Sequence, residues 1–227
     1  ERLLKAREQA PFTSTEDLAL RTQMDRGNLK ALAAADALTA LSGHRRQQMW
    51  DATAPLRAPP LLDAVPIHEA ALELPEGPEG ERILFDYAAT GLTLRRHPMA
   101  LLRERLDRWR ILTAQQLQEI PDGRTVRAAG IVTVRQRPGT AKGTMFVTLE
   151  DETGTVNVVV WPSMVEEWRI PLLRSRLLAV QGVWQCSKNS DDMQPHVTRH
   201  LVLKRVRDLT PLLGRLGSVL GGSRDFH

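Results

Sequence analysis

The chain has 227 residues, of which 42% are hydrophobic and 26% charged, and it carries a net charge of +4. That composition is ordinary for a soluble globular protein of one or two domains, and the lack of a run of about 18 apolar residues excludes a membrane-spanning helix. Residues 1–120 hold 16 basic and 17 acidic side chains, whereas residues 121–210 hold 13 basic and 9 acidic ones. The positive surplus therefore lies in the C-terminal half of the chain, which would attract a polyanion.

Residues 1–51 have the pattern of short helices. Thr15 with Glu16 and Asp17 is typical of a helix start, and a break around Gly27 precedes apolar side chains at helical spacing. This outline favours a helix-hairpin-helix unit, although the usual pair of hairpin glycines is reduced to Gly27. The opening ERLLKAREQA has no Met and indicates a fragment that starts within such a module.

Residues 52–80 hold six prolines, which predicts a connector without long helices. Residues 81–120 return to helical spacing and form a predicted helical linker region. One helix is expected over 81–89, a second opens at Pro98, and a third begins at Thr113 as its N-cap and ends near Ile120.

From residue 121 to 210 the hydrophobic period changes to two. Five β-rich runs, with a helix predicted over 162–173 between the third and fourth, have the order of a five-stranded OB-fold β-barrel. Gly130 stands where a long first strand must bend to serve both sheets, and the turn at 151–154 joins the second and third strands. The fold class is therefore α+β and multi-domain, with a helical region, the barrel and a tail over 211–227. The five runs are 126–134, 144–149, 155–161, 177–184 and 197–206.

Several side chains of the predicted barrel are candidates to bind nucleic acid. The loop 135–143 between the first two strands combines cations with glycines, which suits phosphate contact, and aromatic side chains could stack on bases. Since Met145, Val147 and Leu149 form the expected inward set, Phe146 faces outward; at least one of Phe146, Trp161 and Trp184 is expected in the core. The candidate DNA-binding residues are Arg135, Arg137, Lys142, Phe146, Trp161, Arg199 and Lys204, together with Arg45 and Arg46 after the helical hairpin.

No catalytic centre is predicted in this chain. Paired carboxylates on one strand, a histidine cluster at metal spacing and a glycine-rich phosphate loop are all missing from the sequence. The lone Cys186 excludes an internal disulfide and a cysteine-based metal site, and it fits a reducing cytoplasm. We therefore expect no cofactor, no metal and no enzymatic activity from these residues alone.

An ordered set of motifs resembles one family. The set runs from PFTSTEDLALR and GHRRQQMW through FDYAATGLTLRRHPMALLR and the strand phrase VRAAGIVTVRQRPGTAKGTMFVTLEDETGTVNVVVWP to the ending SRDFH. Together they are similar to the C-terminal part of the bacterial error-prone C-family DNA polymerases, of the ImuC type, over essentially the whole chain. The resemblance implies a tandem helix-hairpin-helix region followed by an OB fold, downstream of a catalytic palm whose aspartates are not in this sequence.

That resemblance implies a role in damage-induced translesion synthesis and DNA repair. A glutamine-led clamp-binding motif is not matched, so access to the sliding clamp would depend on an ImuB-type partner protein. Three hypotheses remain open: a non-catalytic fragment that binds single-stranded or primer-template DNA, a module that docks partner proteins, and a synthetase-like module that binds tRNA. Weaker oligonucleotide binding after substitution of Arg135, Arg137 and Lys142 would support the first.

Overall fold

The computed structural model describes residues 1–54, 72–188, 197–219 and 224–226. The chain divides into two compact units, Glu1–Thr93 and Leu94–His227. The division falls inside the predicted helical region 81–120, so the helix predicted over 81–89 belongs to the first unit and the two that follow belong to the second. Much of the proline-rich connector lies outside the described residues. Within them, no helix has the length and apolarity that crossing a membrane requires.

The first unit is a cluster of short helices with its own core. Helix starts are capped by side chains, since Ser14 accepts from the Asp17 N–H and Asp25 accepts from the Asn28 N–H. The cap of the second helix is thus Ser14, one residue before the predicted Thr15. Leu18, Leu29 and Leu38 are among the buried side chains that hold the helices together. The helices are α1 Arg2–Gln9, α2 Thr15–Thr22, α3 Arg26–Ala34, α4 Thr39–Ser42, α5 Arg45–Thr53 and α6 Glu79–Thr90.

The second unit contains a closed five-stranded barrel. The strand order is β2-β3-β5-β4-β1 with β1 returning to β2, which confirms the predicted OB-fold order. The predicted helix over 162–173 is present as two short helices that break at Trp168. A sixth strand, within the predicted tail, pairs with β1 in parallel. The elements are α7 Pro98–Arg108, α8 Ala114–Leu117, β1 Thr125–Gln136, β2 Met145–Asp151, β3 Gly154–Val160, α9 Pro162–Glu167, α10 Arg169–Arg174, β4 Leu177–Lys188, β5 Val197–Asp208, α11 Leu216–Val219 and β6 Arg224–Phe226.

Two glycines allow strands of the barrel to approach one another closely. A Cβ on Gly130 would lie 2.8 Å from both the N and the O of Glu150, so a glycine is needed here, next to the point where β1 pairs with both β4 and β2. A Cβ on Gly182 would lie only 2.0 Å from the Val202 carbonyl oxygen. At this point the β4–β5 register shifts, because Gln181 pairs with Arg205 and Gly182 pairs with Leu203. Lys204 is therefore the extra residue of a β-bulge.

The barrel interior follows the predicted alternation. Met145, Val147 and Leu149 of β2 are buried, as are Val156, Val158 and Val160 of β3. Trp184 is fully buried among them, so of Phe146, Trp161 and Trp184 it is the one that lies in the core. Helix α8 adds Leu117 to the same core, behind a capping box in which Thr113 and Gln116 bond reciprocally. The predicted N-cap at Thr113 is confirmed.

His97 caps helix α7 through an unprotonated ring nitrogen and is partly buried. Its Nδ1 accepts from the Met99 N–H at 3.2 Å and caps α7, which requires an unprotonated nitrogen. Burial lowers the pKa of His97, while the carboxylates of Glu150, Glu152 and Asp151 oppose that shift only in part. Because the folded pKa lies below the unfolded value of about 6.5, the unfolded state binds the proton first as the pH falls.

We expect the free energy of unfolding of the wild type to fall between about pH 7 and pH 5 more steeply than that of His97→Asn. Asparagine keeps an acceptor for the Met99 N–H but does not titrate. Urea unfolding at a series of pH values measures both proteins, and the advantage of the wild type should shrink as the pH falls. Parallel curves for the two proteins across this range would contradict the assignment.

Candidate nucleic-acid interface

The loop between β1 and β2 presents two of the predicted cations to solvent. A short 3-10 turn, Gly139–Ala141, is followed by Lys142 at φ 48° and Gly143 at φ 84°, so the chain reverses through two left-handed residues. A Cβ built on Gly143 would lie 3.4 Å from Nη2 of Arg137 and 3.5 Å from Cγ of Pro162. The Arg137 guanidinium therefore lies across the loop, beside the start of α9.

Two aromatic side chains stand near this loop and are exposed. Phe146 of β2 is 38% exposed, between Gln136 of β1 and Val159 of β3. Trp161 follows β3, immediately before Pro162, and is 52% exposed. Large aromatic side chains left in solvent next to cations are typical of surfaces on which bases stack. The predicted outward orientation of Phe146 is confirmed.

Pairing across the strands extends this surface. Thr148 pairs with Asn157, and its Oγ1 donates to Asn157 Oδ1 at 3.2 Å. Strand β5 lies parallel to β3, where Val158 pairs with Leu201 and Val159 pairs with Val202. Lys204 is exposed in its bulge. We call the surface around Phe146 the front face; it comprises Gln136, Arg137, Lys142, Phe146, Thr148, Asn157 and Trp161.

Arg135 does not belong to the front face, and its predicted phosphate contact is wrong on geometric grounds. It pairs with the buried Val147, it is only 7% exposed, and its Nε donates to the Leu172 carbonyl at 2.7 Å. Its Nη2 donates to the Ser175 carbonyl. The guanidinium thus tethers the end of α10 to the barrel. A bulge around Thr133 reverses the phase of β1 before Arg135, which alternation alone cannot reveal.

The remaining predicted cations are Arg199 in the second unit and Arg45 and Arg46 in the first. Arg199 is half-buried on β5 opposite Cys186, in the phase of the buried Leu201. Arg45 is buried in the first unit, where it forms an ion pair with Asp86 and donates to the Arg82 carbonyl. Arg46 is paired with Glu81 at 2.5 Å. Arg45 is therefore not available to phosphate, and the packing of its own unit accounts for both arginines.

The phrase GHRRQQMW, which suggested the family resemblance, has a structural explanation as well. His44 caps α5 by accepting from the Gln47 N–H, and its other ring nitrogen lies 2.6 Å from the Leu74 carbonyl oxygen. Gln48 is fully buried, accepts from the Leu38 N–H and donates to the Gly43 carbonyl. These contacts fix the helices of the first unit and the segment that precedes α6.

Sequence reasoning missed Gln136, Thr148 and Asn157 on the front face. The signal was present for Thr148 and Asn157, because both share the outward phase of Phe146 once the hairpin at 151–154 sets the register of β2 and β3, whereas Gln136 lies beyond the bulge in β1. Polar side chains beside exposed aromatic ones can donate to and accept from base edges, so the face can combine stacking, hydrogen bonds and phosphate contact.

Comparison with known families assigns the two parts of the chain. Residues 115–209 match the family described as the OB-fold nucleic acid binding domain. The barrel is an OB fold. Residues 1–48 match the helix-hairpin-helix motif, in agreement with the helical pattern and with the short helices of the first unit. The predicted fold class is confirmed in both parts.

Curated relatives match the whole chain. It is 53% identical over 232 residues to the error-prone DNA polymerase of Ralstonia nicotianae and 50% identical over 226 residues to that of Azoarcus sp., with all of this chain and 20% of each relative covered. The chain thus spans about a fifth of the length of these relatives. A solved asparaginyl-tRNA synthetase from Pyrococcus horikoshii is 22% identical over 44% of this chain and 23% of its own, with a TM-score of 0.34, which carries no functional argument.

Proposed function

We propose that this chain is a non-catalytic segment of an error-prone DNA polymerase and that its OB fold binds single-stranded DNA through the front face. The observation that carries the proposal is the convergence of Arg137 and Lys142 with the exposed Phe146 and Trp161 on one outward surface. Single-stranded DNA offers both unpaired bases for stacking and phosphates for the cations. The similarity to error-prone polymerases over the whole chain supports the assignment to DNA rather than RNA.

On this proposal the polymerase chemistry belongs to parts of the parent protein that this segment does not include. The OB fold would hold template strand near the polymerase during translesion synthesis after DNA damage, in the cytoplasm. The ImuC-type assignment and access to the sliding clamp through an ImuB-type partner are parts of the same proposal. They rest on the motif resemblance.

Removing the aromatic pair should weaken DNA binding without unfolding the protein. We expect Phe146→Ala with Trp161→Ala to lower the affinity for a labelled oligothymidine by about 1–3 kcal/mol for each base that can no longer stack. Arg137→Ala with Lys142→Ala should also weaken binding and reduce the slope of log K against log salt by about 0.7 for each phosphate that is no longer neutralised. Fluorescence anisotropy across a salt series measures both effects.

The control for charge is Arg124→Ala with Arg215→Ala, because both arginines are exposed, neither belongs to the front face, and the net charge changes equally. That variant should keep the wild-type salt slope within error. If both front-face variants bound the oligothymidine as tightly as this control, the front face would not be the DNA site.

Exposed apolar side chains on α10 support a second candidate, docking of a partner protein. Ile170 is 70% exposed and Leu173 is 46% exposed. Large apolar side chains left in solvent next to each other are typical of a surface that contacts another protein. A pull-down with an ImuB-type partner, comparing the wild type with Ile170→Asp and Leu173→Asp, distinguishes this role. Docking through α10 predicts that these variants no longer retain the partner, while their binding of oligothymidine is unchanged.

A further inference from the structure

A groove of about 650 Å³ lies on the outward surface of the other half of the barrel. We call it the arginine groove, because five arginines and two tryptophans are among its lining residues. They are Arg108, Arg110, Arg127, Arg205, Arg207, Trp109 and Trp168. No residue of the front face lines it.

The groove results from the pairing of β1, β4 and β5. Arg127 pairs with Gln181, which pairs in turn with Arg205. The next row in the same phase is formed by Ala129, Ala179 and Arg207. The small alanine side chains form the floor of the groove, and the long side chains of Arg207 and Arg127 form its sides. The bulge at Lys204 puts Arg205 and Arg207 in the outward phase, although the buried Leu201 and Leu203 precede them at the same spacing.

Trp109 contacts neighbouring arginines through both its ring and its carbonyl group. The Arg105 guanidinium carbon lies 5.1 Å from the ring centroid and that of Arg207 lies 5.8 Å from it, which are distances of cation–π contact. Arg127 Nη1 donates to the Trp109 carbonyl at 3.2 Å. With cations stacked on it, the indole is a poor platform for a base. Trp168, the other tryptophan of the groove, is partly buried and packs against the barrel core. The groove therefore suits a ligand that is recognised by its charge and not by its rings.

Four of the five arginines of the groove form no ion pair within the described residues. Arg108 pairs with Glu104 at 3.4 Å, and both are strongly exposed. In the described part of the chain, Arg110, Arg127, Arg205 and Arg207 have no carboxylate partner, and no acidic residue lines the groove. Unpaired guanidinium groups held close together repel one another, and an anion with several charges relieves that repulsion.

We propose that the arginine groove binds the phosphodiester backbone of a nucleic acid without contacting its bases. The guanidinium fork matches phosphate oxygens in bidentate geometry, and the arginines repeat along β5 and across to β1, as the charges of a regular polyanion do. The site is separate from the front face and does not depend on the function proposed for it. Since only the backbone is bound, double-stranded DNA is as suitable a ligand as single-stranded DNA.

The test uses the full chain, a labelled blunt-ended DNA duplex and a labelled oligothymidine. We expect Arg110→Glu with Arg205→Glu to weaken duplex binding by about tenfold or more. The milder Arg110→Gln with Arg205→Gln should reduce the salt slope by about 2, one unit for each phosphate contact. The matched control is Arg124→Glu with Arg215→Glu, and circular dichroism checks that each variant is folded.

The outcomes separate the two sites. Duplex binding that survives Arg137→Ala with Lys142→Ala within about twofold, but falls about tenfold or more in Arg110→Glu with Arg205→Glu, supports the groove, and the oligothymidine titration then tests the front face separately. An equal decrease in the groove variants and in the control pair would overturn the proposal, as would no decrease in either. Displacement of the duplex by polyglutamate at equal charge would also overturn it, in favour of an acidic peptide.

Discussion

Replacing Gly182 with alanine is expected to destabilise the barrel by about 3 kcal/mol or more, or to prevent its folding. The added Cβ would lie 2.0 Å from the Val202 carbonyl oxygen, 2.5 Å from Leu201 Cδ2 and 2.8 Å from the Val202 carbonyl carbon. Two of these atoms belong to main chain that is fixed by the β4–β5 ladder, so the clash cannot be relieved by a side-chain rotation. Urea unfolding followed by tryptophan fluorescence measures the change.

The control for that experiment is Gly139→Ala in the β1–β2 loop. A Cβ there meets nothing within 4 Å and the backbone is not left-handed, so the free energy of unfolding should change by no more than about 0.5 kcal/mol. If Gly182→Ala were as stable as Gly139→Ala, the close approach of β4 to β5 at the bulge would be wrong.

Asp151→Ala is expected to cost about 3–5 kcal/mol of stability. The Asp151 carboxylate is buried and accepts from the N–H groups of Ala114 at 2.7 Å, Thr153 at 2.7 Å and Gly154 at 3.0 Å, with the Thr153 hydroxyl at 2.7 Å. Arg103 lies 3.8 Å away. Truncation would leave these donors without their acceptor and detach the start of α8 from the turn between β2 and β3.

Two further variants serve as comparisons for Asp151→Ala. Asp151→Asn can still serve the turn through its oxygen but would direct an N–H₂ group at the Ala114 N–H, so an intermediate destabilisation is expected. Asp107→Ala removes an exposed carboxylate 3.7 Å from the same Arg103 and should cost less than about 1 kcal/mol. Equal destabilisation in Asp107→Ala and Asp151→Ala, measured by urea unfolding, would show that the buried acceptor has no special role.

Local patterns in the sequence predicted most of the barrel, because strand order, alternation and turn residues act over a few neighbours. Gly130, the inward set of β2 and the cap at Thr113 could all be inferred in that way. Asp151 could be inferred only in part. Its turn contacts follow from the residue type, whereas the bond to the Ala114 N–H joins residues 37 positions apart and depends on the closed fold.

Predictions about the site failed where a bulge changed the phase. Arg135 has the sequence context of a loop cation, but the bulge around Thr133 reverses the phase of β1, so the Arg135 side chain is buried against α10. The bulge at Lys204 has the opposite effect, because it places Arg205 and Arg207 on the outer surface. A bulge is decided by the packing of both strands, so the period of a single strand cannot locate it. Arg45 failed for another reason, since its partner Asp86 is supplied by α6.

The short strand β6 covers an edge of β1. Strand β1 leaves β4 after Ile131, and its main chain beyond that point would offer an open edge to any extended peptide. Val134, Arg135 and Gln136 are instead paired in parallel with Arg224, Asp225 and Phe226. Open strand edges promote aggregation and domain swapping. Three residues of backbone pairing therefore keep this edge out of reach of a foreign strand, beside the surface proposed to hold DNA.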